Sequence, residues 1–190
     1  MTDDWLAALV ATPGLTSIGD LEEARRALLD DSLRGVELVR SFEGPIVDVG
    51  SGGGAPGIPL AHALPEREVT LLEANRRKCE FLRRWAPSNA TVVHGRAEEQ
   101  EVDCFGVAVA KALAPPPVAA EWCLPLVTPG GAAILWVGRS VQPERVARVA
   151  DQLAAELVES QPGFVVLRKL GPTPPGFPRR TGVARKRPLA

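Results

Sequence analysis

The residues best suited to chemistry gather around one glycine-rich loop. The stretch Asp48–Gly57 reads DVGSGGGAPG and closes the short β-branched run Ile46–Val49. Gly50, Gly52 and Gly54 allow a tight turn and let a ligand approach the backbone closely. Enzymes of several chemistries share such loops, so the neighbouring residues decide between them. Asp48 sets a carboxylate just ahead of the first glycine, which disfavours a pyrophosphate and suits the ammonium of a methionine moiety. Pro56 begins the following helix and Pro59 lies in its first turn. Proline has no amide hydrogen, so two of the four donors that would cradle a phosphate are missing. No Gly-Lys-Ser or Gly-Lys-Thr follows, which excludes a P-loop. The loop therefore favours S-adenosylmethionine over a dinucleotide.

Further along, Glu73 ends the second β-branched run, where an acid can accept both hydroxyls of a ribose or, alternatively, cap the helix that starts after Asn75. The segment His94-Gly95-Arg96-Ala97-Glu98-Glu99 follows the third run; its amides and carboxylate could face an adenine edge, although Glu98 taken alone reads as a solvated helix-start acid. Lys111 is the one polar group expected at the crevice edge after the fourth run. Its expected role is to position cofactor or substrate rather than to act as a general base. Cys104 and Cys123 stand outside any Pro-Cys context of a pyrimidine-C5 nucleophile and are expected to be buried thiols. His62 and His94 are too isolated for a metal site.

These groups need a scaffold, and the hydrophobic pattern supplies one. Residues 1–43 read as a helical cap, with Asp20 and Glu23 forming a capping box and Ser32 opening a second helix through Val39. Beyond it, short strands at Ile46–Val49, Val69–Leu72, Thr91–Val93, Val107–Ala110 and Ile134–Val137 alternate with helices at Pro56–Leu64, Asn75–Ala86, Pro116–Leu126 and Gln142–Leu157. Strictly alternating elements imply a mostly parallel open α/β sheet, Rossmann-like, with helices on both faces. A final pair, Leu157–Glu159 and Phe164–Leu167, is expected as an edge hairpin. The organisation expected is a single domain, 1–170 (cap 1–43, core 44–170), followed by a proline- and glycine-rich tail, 171–190, with no regular element.

The chain has 190 residues, 45% apolar and 24% charged, with a net charge of −1. That charge is unevenly spread. Residues 171–190 carry Arg179, Arg180, Arg185, Lys186 and Arg187 and no acid, which leaves −6 on the rest. A basic tail on an acidic body suggests contact with phosphate, or alternatively a solubilising end. A second basic cluster, Arg76, Arg77, Lys78, Arg83 and Arg84, lies on the helix whose Cys79, Leu82 and Trp85 are expected to face the sheet. It too is a candidate phosphate contact, set against an ordinary solvated face. Phe177 is a weaker candidate for stacking on a base. Three widely spaced cysteines, no membrane-length apolar run and an acidic start at Asp3-Asp4 fit a cytoplasmic protein without membrane or metal partners.

DVGSGGGAPGIPLA, LLEANRRKCEFLRR at 71–84, GRAEE at 95–99 and the late FPRRTG…KRPL together resemble the glucose-inhibited division protein B family, also called RsmG. The resemblance runs from Leu15 to the end. It implies a class I S-adenosylmethionine-dependent methyltransferase fold and transfer of a methyl group to N7 of a guanine in 16S rRNA. The implied partner is 16S rRNA or the small ribosomal subunit; a monomer is expected, though the sequence itself does not reveal the oligomeric state. The family's cofactor contacts fall on Gly50, Ala55, Ala97, Glu98 and Lys111, and Glu73 takes the acidic ribose site general to the fold. Ala55 replaces a bulkier apolar residue usual in the family, Lys111 replaces an arginine, and Leu28 stands near a usual histidine. The amino-terminal helical region is also shorter. These departures keep two alternatives open: the same fold acting on another substrate, and an RNA-binding or ribosome-assembly module that binds cofactor without turnover.

Overall fold

The computed structural model describes residues 2–190, with the backbone alone at 159–161; the first residue of the cap lies outside this range. Seven strands form one sheet in the order β3-β2-β1-β4-β5-β7-β6. They are β1 Ile46–Val49, β2 Val69–Glu73, β3 Ala90–His94, β4 Phe105–Lys111, β5 Val127–Trp136, β6 Ala155–Gln161 and β7 Phe164–Lys169. The first five are parallel, and β7 enters antiparallel beside β5. The strand order reverses between β1 and β4, which makes the carboxyl ends of those two strands the natural ligand crevice.

Period-two alternation splits the core into two layers. Ile46, Leu71, Val107 and Val109 pack on one face against α1 (Thr2–Ala11), α5 (Gly57–Ala63) and α6 (Arg76–Trp85). Val47, Val49, Ala108 and Ala110 pack on the other against α7 (Pro116–Cys123) and α8 (Pro143–Gln152). Asp48 shares the parity of Ile46, so the sheet turns it toward α5.

The sequence expectations for β1 to β4 and for α5 to α7 hold to within a few residues. Three others need correction. The cap runs through α2 (Leu21–Ala24), a π-helical segment (Arg25–Asp30) and α3 (Asp31–Leu33), and only then breaks before α4 (Val36–Arg40). Asp20 caps α2 by accepting from the Glu23 amide at 2.8 Å. Ser32 caps nothing: it is buried inside the run and its hydroxyl donates to the Leu28 carbonyl. The break falls at Gly35, where a Cβ would stand 2.2 Å from the Trp136 ring. Second, α8 stops at Gln152 instead of Leu157. Ala154 takes a positive φ of 53°, and the chain from Ala155 pairs with β7. Helical propensity yields there to the sheet edge. Third, the tail contains a short helix, α9 (Val183–Lys186), and Ala184 within it is buried.

Candidate functional site

The glycine loop leaves β1 and is held from three sides. Asp48 is fully buried, and its Oδ2 accepts from the Gly57 amide at 3.0 Å while its Oδ1 has no partner. Burial dominates its titration and pushes the carboxyl up to about 7. The Gly57 hydrogen bond and the nearby Ser51 hydroxyl only partly oppose that rise. Space there is tight, since a Cβ on Gly57 would stand 2.5 Å from Asp48 Oδ2. Asp48 thus lies beneath the loop and braces it against the start of α5; it is not among the residues lining the crevice.

Glu73 holds the loop from the β2 side. Its Oε2 accepts from the Gly52 amide at 2.9 Å and its Oε1 from the Asn75 amide at 2.7 Å. From outside, α1 of the cap closes on the loop, and Trp5 Nε1 donates to the Gly53 carbonyl at 2.9 Å. The glycines therefore serve different neighbours. Gly50 and Gly52 adopt φ of 71° and 58°, values that favour glycine, and face the crevice. A Cβ on Gly53 would meet Leu9 at 2.3 Å, and one on Gly54 would meet Ile58 at 2.5 Å and Trp5 at 3.1 Å. Those two make room for the cap and for α5, whereas the sequence assigned Gly54 to the ligand side.

The first turn of α5 offers little to an anion. Gly57 donates to Asp48, Ile58 to the Gly54 carbonyl at 2.7 Å, Leu60 to the Pro56 carbonyl at 3.0 Å, and Pro59 has no amide hydrogen. A pyrophosphate would find no free donor there. This geometry strengthens the case against a dinucleotide.

Two adjoining cavities open over the strand ends. One, of about 170 Å³, is lined by Val49, Leu72, Gly95, Ala97 and Glu98, with Trp122 behind. The other, of about 340 Å³, is lined by the loop from Gly50 to Gly53, by Ala55, Glu73 and Lys78, and by Lys111. Gly50, Leu113 and Arg185 belong to both. Jointly they fall within the size of small-molecule sites, roughly 300–1,000 Å³. Leu113 forms the partition, for a Cβ on Gly50 would stand 2.2 Å from its Cδ1. The crevice thus gathers Gly50, Gly52, Ala55, Glu73, Ala97, Glu98 and Lys111. The apolar first compartment with its amides and Glu98 suits a purine, and the second, with an acid and two lysines, suits an amino-acid zwitterion.

Lys111 ends β4 with its ammonium committed to the cap. It donates to the Ala27 carbonyl and pairs with Asp31, while Arg34 holds the other Asp31 oxygen at 2.8 Å. Burial pulls the Lys111 pKa down, and Asp31 opposes the fall. Ala112 beside it carries a positive φ of 52°.

The tail folds back over the crevice. Arg179 grips buried Glu121 through two hydrogen bonds of 2.5 and 2.6 Å. Thr173 and the fully buried Lys169 share Asp103. The Gly182 amide donates to Glu98 Oε1, and the Thr181 hydroxyl to Glu99, each at 3.2 Å. Arg179 is therefore spent internally, whereas Arg180, Arg185, Lys186 and Arg187 are exposed. Phe177 packs against the core beneath the tail. On α6, Arg76 pairs with Glu80, Arg77 donates to the Pro13 carbonyl, Lys78 lines the crevice, and Arg83 and Arg84 point to solvent.

Sequence reasoning missed Leu113, Trp122 and Gly182 as crevice residues. Nothing in AVAKALAPPP marks Leu113, and the tail's return depends on Glu121 and Asp103, far away in sequence. Cys123 is buried and its thiol is held far above the normal range by desolvation, but Cys104 is exposed, contrary to expectation. Among the described residues no helix is long and apolar enough to cross a membrane, and no cluster of three His, Cys, Asp or Glu could hold a metal ion.

The model of the GidB family, rRNA small subunit methyltransferase G, matches residues 4–166. A ribosomal RNA small subunit methyltransferase G of Synechococcus elongatus is 37% identical, the match covering 92% of this chain and 82% of that protein. The protein of the same name from Acetivibrio thermocellus is 32% identical over 92% of this chain and 81% of its own length. Among solved structures, the T. thermophilus 16S rRNA N2 G1207 methyltransferase, in complex with AdoMet and guanosine, superposes with a TM-score of 0.54 at 17% identity, over 75% of this chain and 40% of that one. M. jannaschii TYW2 in complex with AdoMet gives 0.53 at 15% identity, over 72% and 73%. At such identities these two show the fold alone.

Proposed function

The chain belongs to the GidB family of small-subunit rRNA methyltransferases, and from that premise we propose that it transfers a methyl group from S-adenosylmethionine to N7 of a guanine in 16S rRNA. The observation that carries the cofactor assignment is the two-compartment crevice beside an α5 start whose amides are already bonded. It fits a nucleoside joined to an amino acid and not a pyrophosphate. Ala97 and Glu98 would hold the adenine end. Glu73 would keep its remaining lone pairs for the ribose while holding the loop. Gly50, Gly52 and Ala55 would carry the backbone against the amino-acid end. Asp48 supports that wall from beneath, with its Oδ1 buried and unpartnered.

When bound, S-adenosylmethionine supplies an electrophilic methyl group on a sulfonium. Guanine N7 already presents a lone pair, so no proton has to leave before attack. Catalysis is then mainly alignment at roughly 3–3.5 Å and exclusion of water. The chain's own groups suit that task. Lys111, committed to Ala27 and Asp31, fixes the end of β4 against the cap and acts as a positioning residue rather than a base. Leu113 and Trp122 provide apolar walls. Exposed Arg83, Arg84, Arg180, Lys186 and Arg187 are available to rRNA phosphates. The protein is taken to act as a monomer in the cytoplasm, where ribosomes are assembled.

The test is transfer of labelled methyl to undermethylated small subunits and to naked 16S rRNA. Label confined to one guanine, with the chain cleavable there by borohydride and aniline, is the expected result. Tight cofactor binding without transfer to any RNA would leave a cofactor-binding assembly module instead.

A further inference from the structure

The carboxyl-terminal strap delivers one side chain to the place where the two crevice compartments meet. Its course is fixed on both sides of that point. Upstream, Arg179 is locked on Glu121 and the Gly182 amide on Glu98. Immediately before that point Ala184 is buried, and downstream the Arg187 carbonyl accepts from Arg179 at 2.9 Å. Arg185 between them is exposed, and its guanidinium lies 5.5 Å from the centre of the Trp122 ring. No hydrogen bond or ion pair to Arg185 occurs among the described residues, so its forked donors are unspent.

Any ligand spanning both compartments must pass Gly50, Leu113 and Arg185. The acids nearby keep their charge, but among the described residues neither Glu73 nor Glu98 pairs with that guanidinium. Glu73 holds two loop amides and Glu98 holds Gly182. A cation at the junction is unfavourable beside a sulfonium and favourable beside an arriving anion. A planar guanidinium stacked on an aromatic face, with its edge free, matches a phosphate.

We propose that Arg185 positions the target nucleotide by pairing with its backbone phosphate at the mouth of the crevice, an assignment that rests on the rRNA methyltransferase reading above. The residue couples the two ligands: it opposes the cofactor's charge until RNA arrives, then fixes the strand whose guanine must reach the methyl group. Lys186 and Arg187, exposed on the same helix and just after it, extend the contact along the strand.

The test compares wild type, Arg185→Ala and Arg185→Lys, using a 16S rRNA fragment and S-adenosylmethionine separately and together. Arg185→Ala is expected to reduce the slope of log affinity for the RNA against log salt by about 0.7–0.9, the value for one phosphate contact. Its kcat/KM for RNA should fall roughly tenfold to a hundredfold, the range for a lost charge-assisted hydrogen bond. Calorimetry without RNA should find cofactor affinity unchanged or about two- to threefold tighter, from the removed repulsion. Arg185→Lys should restore the salt slope but only part of kcat/KM, because it lacks the fork. An equal melting temperature in all three proteins would show that the fold is intact. A wild-type salt slope in Arg185→Ala overturns the proposal, as does a cofactor affinity lowered tenfold with the slope retained. If wild type methylates no RNA, the functional assignment fails; if it does and Arg185→Ala matches it, only the role of Arg185 fails.

Discussion

The crevice has two walls supplied by the two ends of the chain, and they are held by opposite physics. The amino-terminal cap is bound by apolar burial. Trp5, Leu6 and Leu9 are each at most 1% exposed, and α1 meets the loop through one indole hydrogen bond. The carboxyl-terminal strap sets Ala184, Phe177 and Leu189 on the core, but its ties are mainly polar: Arg179 pairs with Glu121, and Thr173 binds Asp103, which also pairs with Lys169 of β7. The difference explains the lopsided charge of the sequence. Part of the basic tail balances acids of the body instead of reaching outward. It also separates two tasks. A wall of packed side chains keeps the glycine loop in shape, whereas a wall of ion pairs offers its remaining cations to a polyanion.

The largest expected effect breaks the apolar wall. Trp5→Ala removes a buried indole and the Gly53 contact, and should cost about 3–5 kcal/mol of unfolding free energy in urea. Since whole domains have roughly 5–15 kcal/mol to spare, the loss should also loosen the loop and weaken cofactor binding measured by calorimetry. Next comes the ionic wall. Arg179→Ala strands the Glu121 carboxylate, whose side chain is 3% exposed, and should cost about 3 kcal/mol. Pairing it with Glu121→Leu should recover most of that, because the penalty lies in the unpaired charge. Equal losses for the single and double variants would show that the strap is held by packing after all.

Between the walls, Asp48 gives the comparison a pH axis. Its carboxyl ionises near 3.8 when unfolded and at about 7 in the fold. The unfolded chain therefore releases a proton first, and the fold loses stability as pH rises from about 4 to about 7, then levels off. The shift sets a ceiling of roughly 4 kcal/mol. Asp48→Asn keeps an acceptor for Gly57 without the buried charge. It should be more stable than wild type by about 2 kcal/mol at pH 8, and the gain should vanish near pH 4. Unfolding curves across that range check the sign. Cofactor calorimetry on the same variant separates bracing of the loop from a direct grip on the ammonium.

Much of the scaffold was legible because it is local. β1 to β4 are short, mostly apolar runs led by Val, Ile and Leu, and the helices between them bury apolar residues. β5 starts earlier than expected because Thr128-Pro129-Gly130-Gly131 looks like a turn, yet the strand passes through it. Of the candidate site, Gly50, Gly52, Glu73, Ala97 and Glu98 do surround one crevice. The orientation of Asp48 was also available: it shares parity with Ile46 and must face α5. What could not be read depends on pairs distant in sequence. Glu121 looks like a stray acid in AAEWC until Arg179 arrives, and the bend of the cap follows from Trp136 meeting Gly35.

The smallest effect concerns an ionic tie between the apolar wall and the sheet. Lys111 joins the end of β4 to the cap, and its side chain is 13% exposed against 31% for Asp31. Because Asp31 keeps Arg34 and partial solvent, Lys111→Met should cost only about 1–2 kcal/mol, less than a fully buried pair. If Lys111 acts by holding the cap, kcat should fall by less than about tenfold, RNA affinity should keep its salt slope, and Lys111→Arg should restore both stability and rate. A drop of a hundredfold or more in kcat with unchanged stability would instead put the ammonium in contact with the reacting groups. That outcome would move the division of labour: chemistry would then draw on both walls, and not only on the strap's free cations.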